Sequence, residues 1–257
     1  MTTIALTGSR SGIGAATVAA LQALGHTVIG IDLRGADVAA DLSNPAGRAE
    51  AIAQVLDRCG GQLDGLVLCA GLGAQVEPAS QVAAVNYFGA VALLDGLLPA
   101  LAKGQNASAV VVSSVASSQL PWDKNPLAAA CEAGDEAQVA AICNGAGAKG
   151  GHLAYAGSKN ALTVAVRRRA VAWGQQSVRL NTVAPGAVET PLLQAGLADP
   201  RYGQAIKDFV APIARRARPD EVASLIVYLM GAQAGFIHGA QFYIDGGVDA
   251  LYRPTQF

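Results

Sequence analysis

The sequence predicts a doubly wound α/β fold, one parallel sheet with helices on both faces. Three observations carry that expectation. Short apolar runs alternate with longer segments of helical periodicity, as a parallel sheet requires, because each crossover must return the chain to the same end of the sheet. A glycine-rich turn, from Gly8 to Gly14, follows the first apolar run and opens the first helical segment. No linker, charge run or internal repeat divides the 257 residues, so a single domain spanning 1–257 is expected.

The elements follow in order. Thr3–Thr7 reads as the first strand, residues 13–24 as a helix and Thr27–Asp32 as the second strand. Asn44 before Pro45 supplies an N-cap with proline in the first turn, which starts the next helix. Residues 66–68 form a short buried strand and residues 80–101 are mostly helical. Residues 109–112, Ala-Val-Val-Val, read as a strand because β-branched side chains suit one. Residues 154–173 are helical, 178–183 a strand, Pro219–Met230 a helix and Gln241–Ile244 the last strand. The stretch 117–151 breaks the rhythm. It carries Pro121, Pro126, several glycines and an alanine-rich portion over 127–142, and reads as a partly helical insertion before the helix that bears Tyr155.

Composition narrows the classes. With 52% hydrophobic and 14% charged residues the chain can bury a large core and does not resemble a disordered one. Its 18 basic and 19 acidic side chains leave a net charge of −1, so neither a nucleic-acid footprint nor a polybasic membrane patch is expected. Cys59, Cys69, Cys131 and Cys143 lack metal-ligand spacing, and a strand begins almost at the first residue. These features imply reduced thiols, no metal and a cytoplasmic location. The span between Arg10 and Asp32 has no charge and is long enough to cross a bilayer. Gly12, Gly14, Gln22 and the Gly25-His26 break divide it into loop, helix and strand, so membrane insertion is not expected.

The turn Thr7-Gly8-Ser9-Arg10-Ser11-Gly12-Ile13-Gly14 lies between a strand and a helix, where a backbone can approach a pyrophosphate and a helix N-terminus offers free N–H groups. Asp32 ends the second strand about 18 residues beyond Gly14, near the spacing at which a carboxylate meets the ribose hydroxyls of a dinucleotide. An aspartate there repels a 2′-phosphate, which favours NAD over NADP; Arg10 and Arg34, close by in sequence, pull the other way. Tyr155 and Lys159 stand four apart on one helical face. A tyrosine is a poor base at neutral pH, with a pKa near ~10. A cation beside it favours the phenolate, so Lys159 is expected to depress the Tyr155 pKa.

Together, Thr-Gly-x-x-x-Gly-x-Gly (Thr7, Gly8, Gly12, Gly14) and Tyr-x-x-x-Lys (Tyr155, Lys159) resemble the short-chain dehydrogenase/reductase family, over nearly the whole length. The resemblance implies a Rossmann-type sheet, NAD as cofactor and hydride exchange between an alcohol and a carbonyl. It implies a phosphate cradle running from Gly8 through Ser9, Arg10, Ser11, Gly12 and Ile13 to Gly14. Asp41 and Leu42 would contact adenine, and Gly71 would keep the backbone route beside the cofactor. Where the family has Asn-Ala-Gly this chain has Cys69-Ala70-Gly71, losing a side chain that steadies the sheet.

At the catalytic end the resemblance gives Tyr155 the acid/base role and Lys159 the nicotinamide ribose. Of Ser113 and Ser114 it gives Ser114 the substrate oxygen, so Ser114 and Tyr155 would bind substrate. Asn86 would bend its helix and hold a water that links Lys159 to solvent. Pro185-Gly186 would form the turn beside the nicotinamide, with Val188 and Thr190 at its carboxamide.

The resemblance implies that residues 190–216 close over substrate as a lid, and the apolar Leu192, Leu193, Leu197, Phe209, Val210 and Ile213 there suit a bulky hydrophobic alcohol or ketone. About 40 positions separate Ser114 from Tyr155, a long interval for a connection in a compact domain. That insertion, Cys69-Ala70-Gly71-Leu72-Gly73 and the C-terminal Arg253-Pro254-Thr255-Gln256-Phe257 resemble bacterial members of the family that oxidise steroid 3α-hydroxyls and reduce other carbonyls. Much of the family assembles through the tyrosine-bearing helix and its neighbour; an insertion feeding that helix would crowd the interface, so a homodimer through another surface is expected. The competing expectations are a 3-oxoacyl-carrier-protein reductase, a general alcohol dehydrogenase of the same family, and a nucleotide-sensing regulator without turnover.

Overall fold

The computed structural model describes residues 2–256, so Phe257 of the C-terminal run lies outside the described residues. Seven strands form one sheet in the order β3-β2-β1-β4-β5-β6-β7, all pairs parallel. They are β1 (Thr3–Thr7), β2 (Thr27–Asp32), β3 (Val38–Ala39), β4 (Gly65–Leu68), β5 (Ser108–Val112), β6 (Arg179–Pro185) and β7 (Gln241–Ile244). The helices in chain order are α1 (Gly12–Ala23), α2 (Pro45–Arg58), α3 (Ala79–Ala83), α4 (Ala90–Leu101), α5 (Ala116–Gln119), α6 (Ala128–Ala133), α7 (Glu136–Gly145), α8 (Gly150–Gln175), α9 (Pro191–Ala198), α10 (Gly203–Asp208), α11 (Pro219–Met230) and α12 (Val248–Tyr252). A π-helical turn, Ala84–Gly89, joins α3 to α4.

The period-two alternation of the strands sorts the core into two layers. Ile4, Leu6, Val67, Val110, Val112 and Val183 turn to one face, where they meet Leu21 of α1 and Val222, Ile226 and Leu229 of α11. Ala5, Leu66, Leu68, Ala109, Val111 and Leu180 turn to the other, against α2, α4 and α8. Burial on both faces explains why these strands read as continuous apolar runs. Order reverses at β1, which pairs with β2 on one side and β4 on the other, and such a switch point opens a crevice at the carboxyl ends of the strands.

Most elements lie where the sequence places them, with β1, β2, α11 and β7 matching end to end. Asn44 caps α2 as expected, its side-chain oxygen accepting from the Gly47 N–H. The insertion is more helical than expected, holding α5, α6 and α7, and α8 begins at Gly150 rather than at Ala154. Of the insertion's glycines, Gly151 is there for space, since a Cβ would overlap the Ala74 carbonyl oxygen, whereas Gly134 and Gly147 serve turns at left-handed φ of 69° and 57°. One continuous helical stretch, Ala79–Leu101, is long and apolar enough to cross a membrane, with mean hydropathy 1.5. Its Leu93, Leu94, Leu97 and Leu101 are packed in the core.

Candidate active site

At the carboxyl end of β1 the chain turns through Gly8 and Gly12, whose φ values of 70° and 51° are left-handed. A Cβ on Gly8 would stand 2.9 Å from the Ala70 nitrogen, and one on Gly14 would overlap the Gly8 carbonyl oxygen. The turn therefore lies flat against β4, with room above it. Ser11 is the N-cap of α1, yet its hydroxyl makes no cap hydrogen bond, which leaves the first N–H groups of the helix free for an anion. Gly8, Ser11, Gly12, Ile13 and Gly14 line a cleft of about 410 Å³.

Two members of the expected cradle do not face that cleft. Ser9 is buried under β2, its hydroxyl donating to the Ile31 carbonyl (3.4 Å), because the turn bends its side chain inward towards Gly30. Arg10 contributes its backbone instead of its side chain, donating to Asp32 Oδ2 (3.0 Å). Leu33 N–H donates to Oδ1 (2.8 Å), so the Asp32 carboxylate is aimed from both oxygens while keeping lone pairs for hydroxyl donors. Asp32, Asp41 and Leu42 line the same end of the cleft. Hydrogen bonds from Ser43, led by its side chain, hold the Asp41 carboxyl below the usual carboxylate range.

The free N–H groups, the glycine cradle and the aimed carboxylate fit a dinucleotide with an unphosphorylated ribose. Among the described residues no group of three His, Cys, Asp or Glu side chains is placed to hold a metal ion.

At the other end of the cleft, β5 delivers two serines with different fates. Ser113 points into the body, its hydroxyl 2.7 Å from that of Thr163 on α8. Ser114 stays on the cleft beside Tyr155. Lys159 is buried and its Nζ donates to the Val112 carbonyl (2.8 Å). Burial pulls the Lys159 ammonium down to about 8, with Cys69 opposing. The Cys69 thiol is pushed up to about 12 by burial, against Lys159, so it stands as a neutral wall where the family has an amide.

The expected depression of Tyr155 is not found. Burial raises its phenol above the ordinary value, with a hydrogen bond from Ser114 opposing, and desolvation of the phenolate dominates. Asn86 is fully buried inside the π-helical turn, behind Gly71 rather than on the cleft wall. Its Oδ1 accepts from Leu72 N–H (2.8 Å) and its Nδ2 donates to the Leu72 carbonyl (3.0 Å). A Cβ on Gly71 would lie 3.2 Å from Asn86 Oδ1, a tight approach, and 3.5 Å from Lys159 Nζ, an ordinary contact, so the three groups converge at this point.

Pro185, Gly186, Val188 and Thr190 line the cleft as expected. Thr190 also caps α9, accepting from Leu193 N–H (3.2 Å), and its methyl would touch a Cβ on Gly12 (3.0 Å). Thr190 thereby stands directly beside the glycine-rich turn. The lid divides. Leu192 and Leu193 face the cleft, but Phe209, Val210 and Ile213 line a separate cavity of about 370 Å³ against Ile244, and Leu197 lies on neither wall. Periodicity could not reveal this, because the chain between α10 and α11 doubles back. Gln81, Val85 and Val112 line the cleft without having been expected. Gln81 and Val85 stand four apart on the helical face that leads to Asn86, a spacing that could have found them.

Comparisons with known proteins agree with this geometry. Residues 2–134 match the family described as short chain dehydrogenase, and residues 134–249 match the one described as Enoyl-(Acyl carrier protein) reductase. A curated relative, the 3-alpha-hydroxysteroid dehydrogenase/carbonyl reductase of Comamonas testosteroni, is 61% identical over 257 residues, covering 100% of both chains. The coniferyl-alcohol dehydrogenase of a Pseudomonas species is 35% identical over 97% of each. Among solved structures, a 3-alpha-hydroxysteroid dehydrogenase from Pseudomonas sp. B-0831 complexed with NADH superposes with a TM-score of 0.96 and 55% identity, over 99% of this chain and 100% of that one.

Proposed function

The chain belongs to the short-chain dehydrogenase/reductase family, and from that premise we propose that it interconverts a hydrophobic secondary alcohol and its ketone with NAD, a steroid 3α-hydroxyl foremost, and reduces other carbonyls. The observation that carries this reading is one cleft shared by Asp32, the uncapped N-terminus of α1, Ser114, Tyr155 and Lys159. Full-length identity of 61% to a protein named for both activities supports the substrate class.

Bound NAD would supply the hydride acceptor, or NADH the donor. Everything else falls to the chain. The N–H groups at the start of α1 hold the pyrophosphate, Asp32 accepts from the adenosine ribose, and Asp41 and Leu42 wall the adenine. Lys159 donates to the nicotinamide ribose, and Val188 and Thr190 fix the carboxamide. Ser114 donates to the substrate oxygen and brings it to the Tyr155 hydroxyl. Since burial keeps that phenol protonated at neutral pH, it is an acid ready for a ketone oxygen. Alcohol oxidation needs the same oxygen deprotonated, which alkaline solution favours. Asn86 holds Gly71 and Leu72 behind Lys159, and a water at its amide would pass protons out.

The same reading includes a homodimer, a cytoplasmic location and no membrane insertion. Packing of α6 and α7 along α8 supports assembly through a surface other than that helix.

The deciding experiment follows NADH absorbance with androsterone, a bile acid, a 3-oxoacyl thioester, a sugar and a simple secondary alcohol, and repeats it with NADP. We expect turnover of the steroids with NAD, and a loss of at least ~10³-fold in kcat for Tyr155→Phe with NADH affinity within about 2-fold of the parent. Near-normal turnover by Tyr155→Phe would sink the assignment of the acid, and activity confined to the thioester would replace the substrate.

A further inference from the structure

We propose that Arg48, gripped by Glu136 of the insertion, is a positioning residue for the adenine half of the cofactor cleft. The proposal rests on the NAD reading above. Arg48 lies in the first turn of α2 with its side chain only 7% exposed, an unusual place for a guanidinium. It makes five hydrogen bonds. Nε donates to the Leu42 carbonyl (2.8 Å), and Nη2 donates to the carbonyls of Ser43 (3.1 Å) and Ala84 (3.0 Å). Nη1 and Nη2 grip Glu136, the first residue of α7, at 2.8 and 2.7 Å. The guanidinium also stands 5.7 Å from the centre of the Phe88 ring.

What Arg48 touches explains what it does. Leu42 is one wall of the adenine end of the cleft, and Val85, next to Ala84, is another. One planar fork therefore ties the backbone of both walls, and its donors have fixed directions, which a lysine could not reproduce. The Asp41 carboxyl, held low first by Ser43, is lowered further by the Arg48 charge. Glu136 comes from 88 positions away and is the only carboxylate among the described residues that pairs with Arg48. Without that partner the guanidinium is a buried uncompensated charge, free to swing towards solvent and release both carbonyls. A second tie from α7 runs to α3, where Asn144 accepts from Ser80 N–H (3.0 Å) and donates to the Ser80 hydroxyl (3.1 Å). The insertion thus holds the adenine walls from outside the cleft, whose lining includes none of Arg48, Glu136 and Asn144.

The test separates positioning from general support by using fragments of the cofactor. Dissociation constants for NADH, AMP and reduced nicotinamide mononucleotide are measured by titration calorimetry on the full chain, for the wild type, Glu136→Gln and Arg48→Lys. Glu136 is partly exposed, so its glutamine variant should fold, and its thermal unfolding is recorded alongside. We expect both variants to bind NADH and AMP about 10-fold more weakly while the nicotinamide fragment changes less than about 2-fold. Equal affinity of the wild type and Glu136→Gln for AMP overturns the proposal, as does equal weakening of both fragments, the signature of a structural role. A wild type that binds neither NADH nor AMP overturns the cofactor reading instead, and the proposal with it.

Discussion

Lys159, the proposed holder of the nicotinamide ribose, is buried at a cost to the fold. Its ammonium has the Val112 carbonyl as its one acceptor among the described residues, and burial lowers its pKa from 10.5 to about 8. Between those values the unfolded chain binds more protons than the native one, so this residue's contribution to stability rises with pH across that window and is lost as pH falls through 8. Replacing it by methionine removes the charge, keeps the length and forfeits one hydrogen bond. Lys159→Met should therefore unfold with about 1–3 kcal/mol more free energy than the wild type at pH 7, with the gap narrowing by pH 10, while turnover is lost. Urea titrations at the two pH values check this; a variant less stable than the wild type at both would contradict it. Which side chains meet was legible in the sequence, since Tyr155 and Lys159 are four apart on one helix. Their titration was not. The sequence argument weighed the Lys159 charge on Tyr155 and left out burial, which only the closed cleft determines, and burial wins for both groups.

Among the elements, the π-helical turn at Ala84–Gly89 backs the cleft, with Val85 on its wall and Asn86 behind Gly71. Such turns insert an extra residue per turn and often mark functional sites. Here the widened turn lets Asn86 reach across to both backbone groups of Leu72. Asn86→Ala strips both bonds from a fully buried position, so we expect a loss of about 2 kcal/mol in unfolding free energy and a fall in turnover beyond about 10-fold, as Gly71 and Lys159 lose their backing. A stable, fully active alanine variant, seen by denaturation and steady-state kinetics together, would contradict this. The bend at Asn86 was expected from the family pattern. The two-residue β3 was not legible, because Val38 and Ala39 are too short a run for any period to register. The lid misled for a different reason: apolar residues over 190–213 suggested one surface, but the chain turns between Asp208 and Pro219, sending Phe209, Val210 and Ile213 to another cavity. Ser9 was misread because a motif names positions while the turn decides which side chains point outward.

At the scale of the whole molecule, alternating strands and helices made the sheet legible, and the glycine-rich turn after the first strand with Asp32 made the cofactor end of the cleft legible. Arg168 of α8 pairs with Glu132 of α6 in the insertion and lies over the Trp122 ring, so one flank of α8 is already occupied by the chain itself. We expect a solution mass near twice 25.9 kDa, measured by light scattering, and a tetramer would contradict that expectation. The pairing of Ile4 with Gly65 has a consequence for how the protein is made. A ribosome adding about 5–20 residues per second takes about 3–12 s to pass from the first of these positions to the second. Throughout that interval one edge of β1 has no strand beside it, and since every pairing in the sheet spans a crossover, no local hairpin can cover it. The nascent chain thus offers its neighbours an unpaired edge of β1 until its fourth strand has emerged, well ahead of the synthesis of Tyr155.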